Sequence, residues 1–352
     1  MLKDTYMPIS YLGLVKTMLR GLPERQAEVL SRRYGLLSSG EEETLEEIGE
    51  DFGITRERVR QLEAAAFAGL KRSPSFDEAK VATTQLQRHV RDHGDVRRET
   101  ALLDDLAPSR EHPAVFFLLD IAEGVNRHRE NNERHTAWAT DEEKVAEAEE
   151  FARGIVNRFD QEIKKPLSQA KFWEAVEDEA QARKFALTER ARRSWVDISK
   201  LLGEGPLGLW GPTEWPDISP RGVKDRAYIT LKAEGKPMHF TDIVGRMNRN
   251  LFGAEGKKAH VQTVHNELIK DPRFVLVGRG TYALADWGYA PGTVRDILIQ
   301  ALKESPRGLL RDELIAAVLK TRMVKVNTIL LNLNDRKTFS RDDSGRYSFR
   351  KR

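Results

Sequence analysis

Apolar positions recur at helical spacing along most of the chain, interrupted by short extended stretches that close on a glycine or polar turn. The clearest case is residues 44–70. Leu45, Ile48 and Phe52 fall on one face of a helix, with Glu46, Glu47 and Glu50 largely away from it. Thr44 followed by Glu47 has the spacing of a reciprocal cap, so a helix is predicted to start there. Gly53 can adopt a left-handed conformation, and Thr55 can cap a second helix from Arg56, with Val59, Leu62, Ala66 and Leu70 as its buried stripe. That leaves Arg56, Glu57, Arg60 and Gln61 on the outer face of its first two turns, and Gly49 where the two helices would cross. Two helices on so short a turn predict a helix-turn-helix, whose second helix enters the major groove. Arginine can pair twice with guanine, glutamine with adenine, and glutamate can accept from cytosine. Thr55, Arg56, Glu57, Arg60 and Gln61 are therefore the first candidate DNA contacts.

Beyond residue 72 an arrangement repeats without its residues repeating: helical segments, two short extended segments around a turn, then a new helix. Each unit ends on an aromatic, namely Trp138, Trp210, Tyr282 and Tyr347, at separations of 72, 72 and 65 residues. The expected fold is mainly α with short β-wings, a helix-turn-helix followed by several winged helix-turn-helix units. The expected domains are 1–78, 79–164 (a winged helix with a helical acidic connector), 165–221, 222–288 and 289–352. The connector rests on residues 141–150, which hold six acidic residues and one lysine and read as an exposed helix between modules.

Composition narrows the function. A chain of 352 residues is long for one domain. No cysteine is present, which excludes disulfides, thiolate metal sites and a cysteine nucleophile. Residues 1–21 lack the order of a secretory signal and no run is apolar enough to span a bilayer, so a cytoplasmic, nucleoid-associated protein without membrane partners is expected. The net charge of +3 is small for a nucleic-acid binder, but charge is sorted. Residues 41–51 carry seven acidic and no basic residues, whereas 335–352 carry seven basic and three acidic ones. No phosphate-binding loop, serine elbow or HExxH pair occurs, and His260 and His265 are not at i, i+4 spacing. No enzyme activity, cofactor or metal site is expected.

Two stretches resemble known families. LPERQAEVLSRRYGL at 22–36, TLEEIG at 44–49 and TRERVRQLE at 55–63 resemble region four of primary sigma factors. The resemblance implies a recognition helix reading the upstream promoter hexamer through Arg56, Glu57, Arg60 and Gln61, and RNA polymerase as a second partner beside double-stranded DNA. Only some twenty residues precede position 22, so a complete sigma factor is not expected. DRAYITLKAEGKPMHF at 225–240, TVHNEL at 263–268 and FVLVGRGTYAL at 274–284 resemble the HARE-type winged helix, a module of polymerase-associated, restriction-related and chromatin proteins. A recognition helix over 260–270 would expose Gln262, Thr263 and Asn266, with Arg279 on the wing. In the last unit, helices over 293–303, 311–319 and 326–333 precede a wing over 339–349. Lys325, Asn327, Arg346 and the terminal Arg350, Lys351 and Arg352 are candidates for phosphates.

The leading expectation is a sequence-specific DNA-binding transcription regulator that takes part in initiation. The alternatives are a polymerase- or chromosome-associated interaction protein and a DNA-reading subunit of a restriction or defence system. Surface charge on the winged recognition helices separates the first two: an acidic or apolar surface favours protein contact.

Overall fold

The computed structural model describes residues 10–37, 40–251, 258–289, 292–322 and 324–350. Two compact units divide the chain, 1–203 with 210–213, and 204–209 with 214–352. Pro291, Lys351 and Arg352, which figured in the expected last unit, lie outside the described residues.

The first unit opens with α1 (Tyr11–Arg20), α2 (Glu24–Arg33), α3 (Leu45–Phe52) and α4 (Arg56–Leu70). Thr44 Oγ1 accepts from the Glu47 amide at 3.2 Å, and the Glu47 carboxylate accepts from the Thr44 amide at 2.7 Å, which starts α3. Gly53 ends it in the left-handed region at φ 64°, and Thr55 Oγ1 caps α4 by accepting from the Arg58 amide. Gly49 is demanded by the turn itself, because a Cβ there would lie 2.8 Å from the carbonyl oxygen of Ile54. Since that oxygen is backbone, Gly49→Ala is expected to cost about 1–3 kcal/mol, measured as a lowered midpoint in chemical unfolding.

The acidic run is only partly the solvated face that the pattern suggests. Arg32 on α2 donates to Glu43 at 2.5–3.0 Å and to Asp51 at 2.9 Å, and stands 5.4 Å from the centre of the Phe52 ring. The run thus ties α2 to α3 through one guanidinium. Glu46, Glu47 and Glu50 face solvent.

Four segments with the same element order follow among the described residues. The first comprises α5 (Pro74–Asp92), β1 (Val96–Arg98), α6 (Glu99–Leu106), α7 (His112–Ile121), β2 (Asn126–His128) and β3 (Ala137–Ala139). The second comprises α8 (Glu142–Arg158), β4 (Leu167–Ser168), α9 (Gln169–Ala182), α10 (Glu189–Asp197), β5 (Leu202–Glu204) and β6 (Leu209–Pro212). The third comprises α11 (Gly222–Glu234), β7 (Met238–His239), α12 (Phe240–Arg246), α13 (Val261–Lys270), β8 (Phe274–Gly278) and β9 (Thr281–Leu284). The fourth comprises α14 (Val294–Glu304), β10 (Leu309–Leu310), α15 (Arg311–Thr321), α16 (Val326–Leu333), β11 (Phe339–Arg341) and β12 (Arg346–Phe349).

In each three-stranded sheet the last strand lies in the middle: β1-β3-β2, β4-β6-β5, β7-β9-β8 and β10-β12-β11. Trp138, Trp210, Tyr282 and Tyr347 all stand on that middle strand. This is the winged helix-turn-helix, a fold that is mainly helical with short β-wings, repeated.

The acidic connector is a correction. Residues 142–158 form α8, the opening helix of the second winged segment, and Val145, Ala148, Phe151, Ala152 and Ile155 are buried. Those positions keep helical spacing beneath the carboxylates, so burial of one face outweighs the acidic composition.

Helices α1, α2 and α4 share one core with the first winged segment, while α3 packs on a smaller cluster with Val29 and Val59. Tyr34, just past α2, lies edge-on to Phe117 of α7 at 5.1 Å and to Phe67 of α4 at 6.2 Å. Its hydroxyl donates to Asp120, and burial together with that bond pushes its pKa well above the ordinary phenol range. Val15 and Met18 of α1 are buried in the same cluster as Leu86 and Leu118. In the second compact unit the third and fourth segments have cores of their own, one around Leu231, Val264 and Tyr282, the other around Leu298, Val318 and Ile329.

Candidate nucleic-acid interface

In a helix-turn-helix or winged fold the last helix before the wing is the one that can reach base edges. Five helices hold that position here, and burial sorts them. On α7, Ala114, Val115, Phe117, Leu118, Leu119 and Ile121 are buried, and Asp120 alone is exposed. On α10, Ala191, Ser194, Trp195 and Val196 are buried because the helix docks on the first winged segment. Ser194 Oγ donates to the Val96 carbonyl at 2.6 Å and Trp195 Nε1 to the Gly94 carbonyl at 2.7 Å. Both helices hold the fold together; α7 offers no reading face, and α10 leaves only Glu189 and Arg193 exposed, paired with each other at 2.9 Å.

On α4 the geometry is different. Thr55, Arg56, Glu57, Arg58, Arg60 and Gln61 are all exposed, while Val59 points into a core with Val29 and Ile48. The outer side chains are held by one another. Arg60 donates to Glu57 through Nε at 2.9 Å and Nη2 at 2.7 Å, and Arg58 donates to Gln61 Oε1 at 3.0 Å. Arg56 stands 3.9 Å from Glu46 across the turn. The hydrogen bond from Arg60 holds the Glu57 carboxyl below its ordinary pKa, so it stays an acceptor at neutral pH. Thr55 serves the helix cap. Arg58, absent from the candidates drawn from the sequence, joins this exposed face through its bond to Gln61, and its i, i+3 relation to Gln61 was the available signal.

A capping box, a left-handed glycine and a basic second helix in this order decide the likeness. Residues 18–72 match the family model of sigma-70, region 4. Residues 221–287 match the model of the HARE helix-turn-helix domain, whose description names ASXL and restriction endonucleases. Over 62 residues the chain is 45% identical to the RNA polymerase sigma factor RpoD of Helicobacter pylori, which covers 18% of this chain and 9% of that protein. Over 77 residues it is 38% identical to RpoD of Neisseria gonorrhoeae, covering 22% and 12% respectively. The chain therefore spans only about a tenth of the length of these relatives. Both matched domains are of DNA-binding type and indicate that the chain binds DNA.

The remaining candidates lie on the HARE-like and last winged segments. Gln262, Thr263 and Asn266 are exposed on α13, with Gln262 Nε2 donating to Asn266 Oδ1 at 3.0 Å, and Arg279 is exposed at the β8–β9 turn. His260 caps α13 through Nδ1, and His265 stacks on Phe240 at 4.4 Å, so both have local roles. Lys325 and Asn327 are exposed at the start of α16. Arg346 is drawn inward, donating to the Gly308 carbonyl at 3.1 Å, and Arg350 is exposed. No helix among the described residues is long and apolar enough to cross a membrane.

Proposed function

We propose that the protein is a sequence-specific, DNA-binding transcription regulator that reads a promoter-like element through the first turns of α4 and acts at initiation. The observation that carries this reading is the exposure of Arg56, Glu57, Arg60 and Gln61 on a capped helix, when α7 is consumed by packing and α10 leaves only Glu189 and Arg193 exposed. Arg56 and Arg60 would pair with guanine and Gln61 with adenine, while Glu57 orients Arg60 until a base replaces it or accepts from cytosine. The protein would work on the bacterial nucleoid in the cytoplasm, as a binding protein with double-stranded DNA as its partner and RNA polymerase as a second. We divide it into 1–78, 79–140, 141–221, 222–288 and 289–352, which keeps the expected division except that α8 goes with the segment whose helices α9 and α10 it packs against.

The test is a titration of duplexes with and without an upstream promoter hexamer at two salt concentrations. Wild type is expected to prefer the hexamer, and the Arg60→Ala, Gln61→Ala double variant to lose at least ~10-fold of that preference while keeping a salt-sensitive residual affinity. Equal binding to every duplex, unchanged by the substitutions, would remove α4 from the role.

A second reading applies to the C-terminal winged segments, as protein-contacting parts of a polymerase- or chromosome-associated complex. It is favoured by their surface: α16 carries no charged residue, and exposes Val326 and, at 71%, Leu331. Ile269 on α13 is 64% exposed. Neutral and apolar side chains of this kind suit a protein partner better than a phosphate backbone. Gln262, Thr263, Asn266, Arg279, Lys325, Asn327 and Arg346 are the DNA contacts if the duplex runs here instead. Leu331→Asp is expected to leave hexamer affinity within about twofold and to abolish co-sedimentation with purified polymerase, whereas loss of duplex affinity would favour DNA contact.

A further inference from the structure

His89 and His93 stand one turn apart on α5, and both imidazoles converge on Asp105 at the end of α6. We propose that these three side chains form a binding site for a divalent transition-metal ion of the zinc class. The Nε2 atoms of His89 and His93 lie 3.1 and 3.9 Å from Asp105 Oδ2. Ligands of tetrahedral zinc, with bonds of about 2.0–2.2 Å, stand roughly 3.4 Å apart, so small side-chain rotations close the site.

The surroundings suit ligation. His93 Nδ1 donates to the His89 carbonyl at 2.7 Å, which fixes the tautomer that leaves Nε2 a lone pair. Arg97 donates to Asp105 Oδ2 through Nη2 at 2.7 Å and Nε at 3.0 Å, so that oxygen is open to an ion once the guanidinium turns away. Its charge competes with a cation, and Asp197 at 3.4 Å offers it a second acceptor. Asp105 is one-third exposed and gives the ion a route in and a position for water.

Such an ion would clamp α5 to α6 beside the core shared with the N-terminal helices. His89 and His93 have the i, i+4 spacing that His260 and His265 lack.

The experiment is calorimetric titration of the full chain, stripped with chelator, with Zn2+, and visible spectroscopy with Co2+. Wild type should take up one ion per chain, raise its melting temperature, and show the intense absorption of tetrahedral cobalt. His93→Gln should abolish uptake, Asp105→Asn should weaken it at least ~10-fold, and Arg97→Gln should strengthen it. Absence of stoichiometric uptake by the wild type overturns the proposal whatever the variants do, as does uptake that both ligand variants retain.

Discussion

Phe117→Ala is expected to destabilise the N-terminal helices by about 3–5 kcal/mol, although Phe117 belongs to the winged segment that follows them. The ring is fully buried, lies edge-on to Tyr34 at 5.1 Å and stacks on Phe67 at 6.1 Å. Removing it takes a wall from both neighbours and leaves a cavity that well-packed helices on either side cannot collapse to fill. Because α4 carries Phe67, its reading face should lose order with the core. Hexamer binding and amide protection in α2 and α4 should therefore fall together in one transition followed by hydrogen exchange. Two separate transitions, with protection in α2 and α4 unaffected, would show that the N-terminal helices fold independently.

Trp195→Ala should be about as costly, again about 3–5 kcal/mol, but with a different consequence. Trp195 is 1% exposed, lies 5.3 Å from Phe185 and 5.8 Å from Phe151 by ring centres, and donates to the Gly94 carbonyl. Its loss removes the anchor of α10 on the first winged segment and leaves that carbonyl without its donor. The core around Tyr34 and Phe117 does not include Trp195. Hexamer affinity of the folded fraction should therefore stay close to wild type while the unfolding midpoint falls. A loss of hexamer preference equal to that of Phe117→Ala would mean that the second winged segment takes part in reading.

Local chemistry made part of this fold legible. The α3–α4 turn is written in consecutive residues, with Thr44 and Glu47 capping each other, Gly53 supplying positive φ and Thr55 starting the next helix. The candidate contacts on α4 follow from helical geometry alone. The aromatic of each closing strand was also visible, since Trp138, Trp210, Tyr282 and Tyr347 recur at nearly constant separation.

What was illegible depends on pairs distant in the chain. Nothing near Phe117 announces that it meets Tyr34, and nothing near Ser194 points to the Val96 carbonyl. Periodicity identifies α7 and α10 as helices in the recognition position without revealing that α7 is covered on nearly every side and that α10 docks through Ser194 and Trp195. Residues 141–150 misled for a related reason, because six carboxylates dominate the composition while the buried face of α8 lies mostly beyond them, at Phe151, Ala152 and Ile155. Surface charge on α13 and α16 likewise becomes meaningful only once burial has removed half of each helix from view.

The bond from Tyr34 to Asp120 joins positions 86 residues apart. In heredity that makes the sigma-like helices a poor cassette. A recombination event that replaced residues 18–72 with the equivalent stretch of another protein would import a Tyr34 and a Phe67 shaped for different neighbours, and would leave Phe116, Phe117 and Asp120 facing strangers. Among descendants of this chain the two stretches should therefore change in concert, a substitution at 34 or 67 being followed by one at 116, 117 or 120.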